Sequence, residues 1–132
     1  MTRVTVPASE VIETLREVVA EQPDYTYEAP AHMAGEGAPL SCFYVHVGGN
    51  DEPDTPGCLV GHVLNRLGVP LDRLAMYEGT GSGGMLASVL EITGPLDEIY
   101  RVDEALALAQ DAQDNGSTWA DALEAATRKP GE

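Results

Sequence analysis

Residues 55–68 read TPGCLVGHVLNRLG, and this stretch organises the rest of the chain. Its second half carries apolar side chains every three or four positions, which is the spacing of a buried helix face. Thr55 is a residue type that caps helix N-termini, Pro56 fits a first helical turn, and Gly68 favours a helix end. The sequence therefore predicts a buried helix that opens at Thr55 and stops at Gly68.

Helical spacing also predicts further helices on both sides of this stretch. They cover about residues 8–21, 70–75, 85–92 and 102–114, and a last helix follows residue 118. The pair Asn115-Gly116 ends one helix, and Ser117 or Thr118 caps the next, with Asp121 as the capping-box partner if Thr118 is the cap. The last two helices should therefore form an αα-hairpin, with Trp119 in its core.

Two short segments are typical of strands. Tyr25-Thr26-Tyr27 alternates, and residues 42–47 read CFYVHV, the clearest strand of the chain. We expect them to form a small antiparallel β-hairpin near residues 25–47. The whole pattern predicts one α+β domain over residues 1–132, mostly helical, with a C-terminal αα-hairpin and a frayed tail at about 129–132.

The charge balance limits the classes of partner. The chain has 22 acidic and seven basic residues, for a formal net charge of −15. Direct binding to nucleic acid is not expected, because it requires clustered Lys and Arg, and an anionic membrane would repel the chain. The charge permits a basic protein partner or mimicry of nucleic acid, and its simplest interpretation is a soluble acidic surface that prevents association. Self-association stays open.

The chain also lacks the sequence features of membrane insertion or export. No apolar run approaches the length of about 20 residues that a spanning helix needs. The N-terminus lacks the basic-then-apolar order of a signal peptide. We expect a cytoplasmic protein with reduced thiols, located in the host cytoplasm if a phage encodes it.

A repeated Cys-x3-His spacing is the main candidate for chemistry. It places Cys42 with His46 and Cys58 with His62, and these are the only cysteines and two of the three histidines. The third, His32, lies in a Pro- and Gly-containing segment typical of solvated loops. If the chain binds a metal or uses a reactive thiol, these four residues are its candidates.

Geometry limits a metal site built from these four residues. On a helix, Cys58 and His62 would have Cβ atoms about 5–6 Å apart, so they could share an ion. On a strand, Cys42 and His46 would be separated by about 13 Å and could not. A site of Cys58, His62 and one of Cys42 or His46 remains an alternative; it has an open position that Asp51, Glu52 or Asp54 could complete. We favour cysteines that pack as small hydrophobes, without metal or cofactor.

A catalytic thiol is the second chemical alternative. Cys58 falls in the first turn of its predicted helix, where the helix dipole lowers the pKa of a thiol. His46, on the preceding strand, could serve as its general base. Papain-like hydrolases also place cysteine at a helix start, but their histidine follows it in sequence. Here the only downstream histidine is His62, on the same helix.

Residues 56–69 and 109–123 carry a resemblance. They read PGCLVGHVLNRLGV and AQDAQDNGSTWADAL, and the QDNGSTW turn is the most specific piece. Together they resemble small proteins of unknown function from actinobacteria and their bacteriophages. The resemblance covers under half of the chain and implies no activity and no site residues. The composition fits a GC-rich genome, and a halophilic source would also explain the acid excess.

We therefore expect a non-enzymatic acidic protein that binds another protein, such as a phage accessory factor acting on a host protein. The alternative is a small cysteine-dependent hydrolase or metal enzyme that uses Cys58 with His46 or His62. A basic partner would favour the first hypothesis, and bound metal or an unusually reactive thiol would favour the second.

Overall fold

The structure is a computed structural model that describes residues 3–27, 44–46, 48, 53–77, 86 and 88–127. Of these residues 61% are helical, which confirms the predicted α+β, mostly helical class. The elements are β1 (Val4–Pro7), α1 (Ala8–Glu21), β2 (Val45–His46), β3 (Thr55–Pro56), α2 (Leu59–Arg66), α3 (Leu71–Ala75), β4 (Leu90–Thr93), α4 (Leu96–Asp114) and α5 (Trp119–Thr127). No helix within these ranges is both long enough and apolar enough to cross a membrane.

The parallel pair of β1 and β4 is a feature that the sequence did not predict. The strands align Val4 with Leu90 and Pro7 with Thr93. Each strand leads into a long helix, β1 into α1 and β4 into α4. The helix predicted over residues 85–92 is therefore wrong in its second half. Helical geometry reaches Val89, and the chain then extends because its backbone pairs with β1.

The antiparallel pair joins different residues from those predicted. Within the described residues, β2 pairs with β3, with Val45 opposite Pro56 and His46 opposite Thr55. The segment around Tyr25 does not join this pair, since Thr26 instead forms an isolated bridge with Thr118 at the start of α5. Residues 42, 43 and 47 of the predicted strand lie outside the described residues.

The start of α2 also differs from its prediction. Thr55 and Pro56 belong to β3, and the N-cap of α2 is Cys58, whose side chain makes no capping hydrogen bond. Proline suits a short edge strand as well as a first helical turn, because both positions tolerate its missing N–H. The predicted end is confirmed, since Gly68 has a φ of +113°.

The remaining helices follow their sequence signals closely. Helix α1 covers the predicted range 8–21, and α3 lies within the predicted turn at 70–75. Helix α4 begins six residues earlier than the predicted 102, because its first turn exposes apolar side chains and so lacks the core-facing pattern. Gly116 has a φ of +93°, and the backbone N–H of Asp121 donates to Oγ1 of Thr118 at 3.2 Å, which confirms the predicted turn and cap.

The core lies where α1, α2, α4 and α5 meet. Helix α2 is its most buried element, with Leu59, Val60, Val63 and Leu64 all inaccessible to solvent. Helices α4 and α5 pack against each other as the predicted αα-hairpin. This arrangement places the first turn of α2 against the end of α4 and the beginning of α5.

Candidate functional site

The start of α2 is anchored by a buried glutamine from α4. The backbone N–H of Leu59 donates to Oε1 of Gln113 at 2.8 Å, and Nε1 of Trp119 donates to the same oxygen at 3.2 Å. Gln113 is 2% exposed. It therefore provides the capping bond that the Cys58 side chain does not make, and it links α2, α4 and α5 through one oxygen atom.

Trp119 is the centre of an aromatic cluster in the core. Its side chain is fully buried, as predicted. The ring of Tyr25 meets it edge-on with centroids 4.8 Å apart, and the ring of His62 does the same at 5.1 Å. The backbone N–H of Trp119 also donates to the carbonyl of Tyr25 at 2.9 Å. These contacts favour a packing role for His62.

The surroundings of His62 disfavour its charged form. Burial lowers the pKa of the His62 imidazole, and the nearby charges of Arg66 and His46 lower it further. Glu21 and a hydrogen bond with the Gly57 backbone act in the opposite direction but do not reverse the shift. His62 is therefore neutral at pH 7 and packs as an aromatic ring with one polar contact.

His46 contacts a tyrosine that follows α1 in the chain. Its Nε2 lies 2.9 Å from the hydroxyl oxygen of Tyr27, and the two rings are 5.4 Å apart at an interplanar angle of 45°. The prediction that His46 serves Cys58 as a base requires a hydrogen bond between them. Within the described residues, the Cys58 thiol forms no hydrogen bond with either histidine.

Cys58 itself is a free thiol with no exposed surface. A nucleophilic cysteine must meet its substrate, so complete burial at the N-cap of α2 works against the helix-dipole activation expected there. The structure brings Cys58 and His62 onto one helix, four residues apart, as the sequence predicted. The His62 ring, however, packs on Trp119.

A metal site is tested only in part by the structure. Among the described residues, no group of three or more His, Cys, Asp or Glu side chains could hold an ion. Cys42, one of the four candidate ligands, lies outside those residues, as does His32. Of the candidate residues that the structure describes, His62 packs on Trp119, His46 packs on Tyr27, and Cys58 is buried at the N-cap of α2.

Sequence reasoning missed the two residues that shape this cluster. Gln113 continues the buried spacing of Val102, Leu106 and Ala109, and a polar residue on such a face is the signal that could have identified it. Gly61 is the second, because a Cβ on it would overlap the carbonyl oxygen of Tyr44. Its backbone makes that close approach possible beside β2.

The largest exposed apolar side chains beyond this cluster lie mostly on α4. Leu96 is 68% exposed and Tyr100 is 67% exposed, and Leu108 follows two turns later. Three acids occupy the same side at seven-residue spacing, which is two helical turns. We call this set the outer α4 surface; it comprises Leu96, Asp97, Tyr100, Glu104, Leu108 and Asp111.

Comparison with known proteins does not add to this geometry. No family model, no curated protein and no solved structure matches the chain.

Proposed function

We propose that the chain is a non-enzymatic acidic protein that binds a basic protein partner through the outer α4 surface. One observation carries the proposal: two large apolar side chains, Leu96 and Tyr100, are about two-thirds exposed on a helix that also exposes a stripe of acids. The proposal assigns the buried cysteine and histidine to stability and the helix surface to binding.

The apolar part of this surface supports an interface. Leu96 and Tyr100 are four residues apart, so they are neighbours on the helix and form one contact area. Burying a leucine side chain contributes about 1.5–3 kcal/mol, and tyrosine is enriched among the residues that dominate binding energy. Both side chains remain available in the described structure, because the core-facing stripe of α4 begins at Val102.

The acidic part of the surface supports a basic partner. Asp97, Glu104 and Asp111 form a stripe about 21 Å long, from the rise of an α-helix. None of the three forms an ion pair within the part of the chain that the structure describes. Unpaired carboxylates attract Lys and Arg side chains, and the net charge of −15 steers a basic protein toward the chain.

The burial of Cys58 supports the non-enzymatic part of the proposal. A cysteine hydrolase needs an accessible thiolate beside a base. Cys58 is fully buried, and its thiol makes no hydrogen bond with the described histidines. We therefore assign Cys58 and His62 to the packing of α2.

The resemblance to small proteins of actinobacteria and their bacteriophages gives the proposal a biological setting. Residues 56–69 and 109–123 contain the start of α2 and the α4–α5 turn, which are the parts that form the buried cluster. If the source is a phage of actinobacteria, the protein is an accessory factor that acts on a host protein in the host cytoplasm. The partner is then a host protein with a basic surface.

Quantitative affinity capture tests the proposal. The chain is immobilised and exposed to a lysate of the cells in which it is expressed, and the captured basic protein is then purified and titrated by calorimetry. The double variant Leu96→Ser/Tyr100→Ser should lose binding. Met76→Ser is the matched control, because Met76 is 63% exposed but lies outside α4, and it should bind like the unmodified chain. Equal affinity for both variants would contradict the proposal.

A further inference from the structure

We propose that a groove between α1 and α4 binds a small organic anion that carries an apolar body. The groove has a volume of about 350 Å³ and lies between the first three turns of α1 and the first two turns of α4. This site is separate from the outer α4 surface, and its ligand is a small molecule. The inference does not depend on the protein partner proposed above.

The floor of the groove is apolar. Ala8 and Ile12 come from α1, and Val102 comes from α4. Ala8 and Val102 are almost completely buried, whereas Ile12 is only partly covered by the protein. An apolar ligand body would remove the remaining Ile12 surface from water, which is favourable in proportion to the area buried.

Two arginines give the groove its selectivity for anions. Arg16 and Arg101 both line it, and they are two of only six arginines in the chain. Neither forms an ion pair or a side-chain hydrogen bond within the described residues, whereas Arg66 binds Glu21 at 2.6 Å. A guanidinium group binds carboxylates and related anions through two parallel hydrogen bonds. Two available guanidinium groups beside one apolar floor favour an amphipathic anion.

The local charge of the groove is opposite to that of the chain. Its charged residues are Arg16, Arg101 and Glu98, two positive and one negative, for a net +1. A second groove along α1 contains three glutamates and Arg66, for a net −2, and the whole chain carries −15. A bound anion would therefore lie directly beside two guanidinium groups and one carboxylate.

The position of the groove in the fold agrees with a ligand site. Strands β1 and β4 are parallel, and both lead into the helices that form the groove. Ala8 directly follows β1, and Glu98 lies in the first turn of α4. In open α/β sheets, ligands bind outside the carboxyl ends of the parallel strands, and this groove has the corresponding position beside a two-stranded parallel pair.

Glu98 allows a test of whether the groove prefers a negatively charged ligand. Its carboxylate lies near Gly94, with Oε2 3.6 Å from the position that a Cβ on Gly94 would take. This acid lines the groove with the two arginines, so it opposes an anionic ligand. Removing its charge should strengthen anion binding, while removing either arginine charge should weaken it.

Fluorescence titration with 8-anilino-1-naphthalenesulfonate, an aromatic sulfonate, measures how each substitution changes the affinity of the groove for an anion. We expect saturable binding to the folded full chain, weakened about fivefold by Arg16→Gln and by Arg101→Gln. Arg66→Gln is the matched control, since it changes the net charge equally but lies outside the groove, and it should leave the affinity unchanged. Glu98→Gln should tighten binding. Equal affinity in all four variants would overturn the site, and so would an absence of saturable binding.

Competition tests whether the ligand needs both the charge and the apolar body. Octanoate should displace the fluorescent sulfonate, whereas acetate and 1-octanol at the same concentration should not. In the unmodified chain, octanoate should shift the methyl NMR signals of Ile12 and Val102 most strongly, which locates the site without any substitution. Displacement by octanol as effective as by octanoate, or shifts confined to other methyl groups, would contradict the proposal.

Discussion

The side-chain oxygen of Gln113 accepts a hydrogen bond from the indole N–H of Trp119 at 3.2 Å. Both residues are buried, with exposed fractions of 2% for Gln113 and 0% for Trp119. The same oxygen accepts the backbone N–H of Leu59. Two buried donors on different helices thus depend on a single acceptor. A buried donor without an acceptor is costly, so this oxygen is essential for the packing of α2 against the αα-hairpin.

Gln113→Met should destabilise the protein strongly. Methionine has a similar length but cannot accept either bond, and each donor left unsatisfied costs about 1–3 kcal/mol. We expect a loss of about 2–4 kcal/mol in the free energy of unfolding, measured by urea denaturation followed by circular dichroism. The exposed Gln22→Met is the control and should change stability by less than about 0.5 kcal/mol. A Gln113→Met variant as stable as this control would contradict the role of the buried oxygen.

Gly61→Ala should destabilise the protein although alanine favours helices. In an exposed helix this substitution would stabilise by about 1 kcal/mol. In α2 the added Cβ would overlap the backbone oxygen of Tyr44, which already accepts a bond from Gly57 at 2.9 Å. We expect a net loss of about 3 kcal/mol from displaced backbone.

Gly116→Ala is the comparison variant, because it introduces backbone strain without a steric overlap. Gly116 has a φ of +93°, but nothing lies within 4 Å of an added Cβ. Its substitution should therefore cost only about 1–2 kcal/mol, from the left-handed backbone alone. Thermal and urea denaturation of both variants give the comparison. A smaller cost for Gly61→Ala than for Gly116→Ala would show that α2 does not press on Tyr44 in the folded protein.

Acidification should destabilise the protein through His62. Burial lowers the folded-state pKa of this imidazole below its ordinary value of 6.5. Above about pH 6.5 both states are neutral and the full stability is present. As the pH falls from there through the folded-state pKa, the unfolded chain takes up the proton first, so the free energy of unfolding decreases by at most about 1.4 kcal/mol per pH unit.

His62→Gln isolates this contribution. The substituted chain should lose less stability than the unmodified chain between pH 7 and pH 5, although it starts from a lower value at pH 7. Denaturation at several pH values gives both slopes, and acid groups common to both chains cancel in the difference. Identical slopes would mean that His62 does not titrate differently in the folded and unfolded states.

Helix ends with strong local signals were predictable from the sequence. Gly68 and Gly116 end α2 and α4 because only glycine adopts positive φ without a penalty, and Thr118 caps α5 through its hydroxyl. The extent of α1 was also predictable, because its apolar stripe begins and ends with the helix. These features depend on a few neighbouring residues, which a single sequence contains.

Features that depend on distant residues were not predictable in the same way. Val4 pairs with Leu90, and no local pattern of a four-residue strand specifies a partner so far along the chain. The two-residue strand at Thr55 looks like a helix start because threonine and proline suit both roles. Likewise, the role of Gln113 as a shared acceptor depends on its contacts with Leu59 and Trp119, which the sequence alone does not give.

The purified protein should contain no stoichiometric zinc. Cys58 and His62 supply at most two ligands from α2, and a closed zinc shell needs four. Elemental analysis of the untagged chain checks this expectation. About one zinc per chain, lost in Cys58→Ser, would support the metal-enzyme alternative and would require ligands from Cys42 or other residues outside the described ranges.

Partner binding should depend on the outer α4 surface and not on the Cys58 thiol. Its most direct test is the dissociation constant of the purified partner for Cys58→Ala, with circular dichroism as the control for folding. We expect an unchanged dissociation constant and a stability lower by about 1 kcal/mol, because a single buried sulfur is removed. A folded Cys58→Ala chain that loses all binding and biological activity would contradict the claim and favour the cysteine-enzyme alternative.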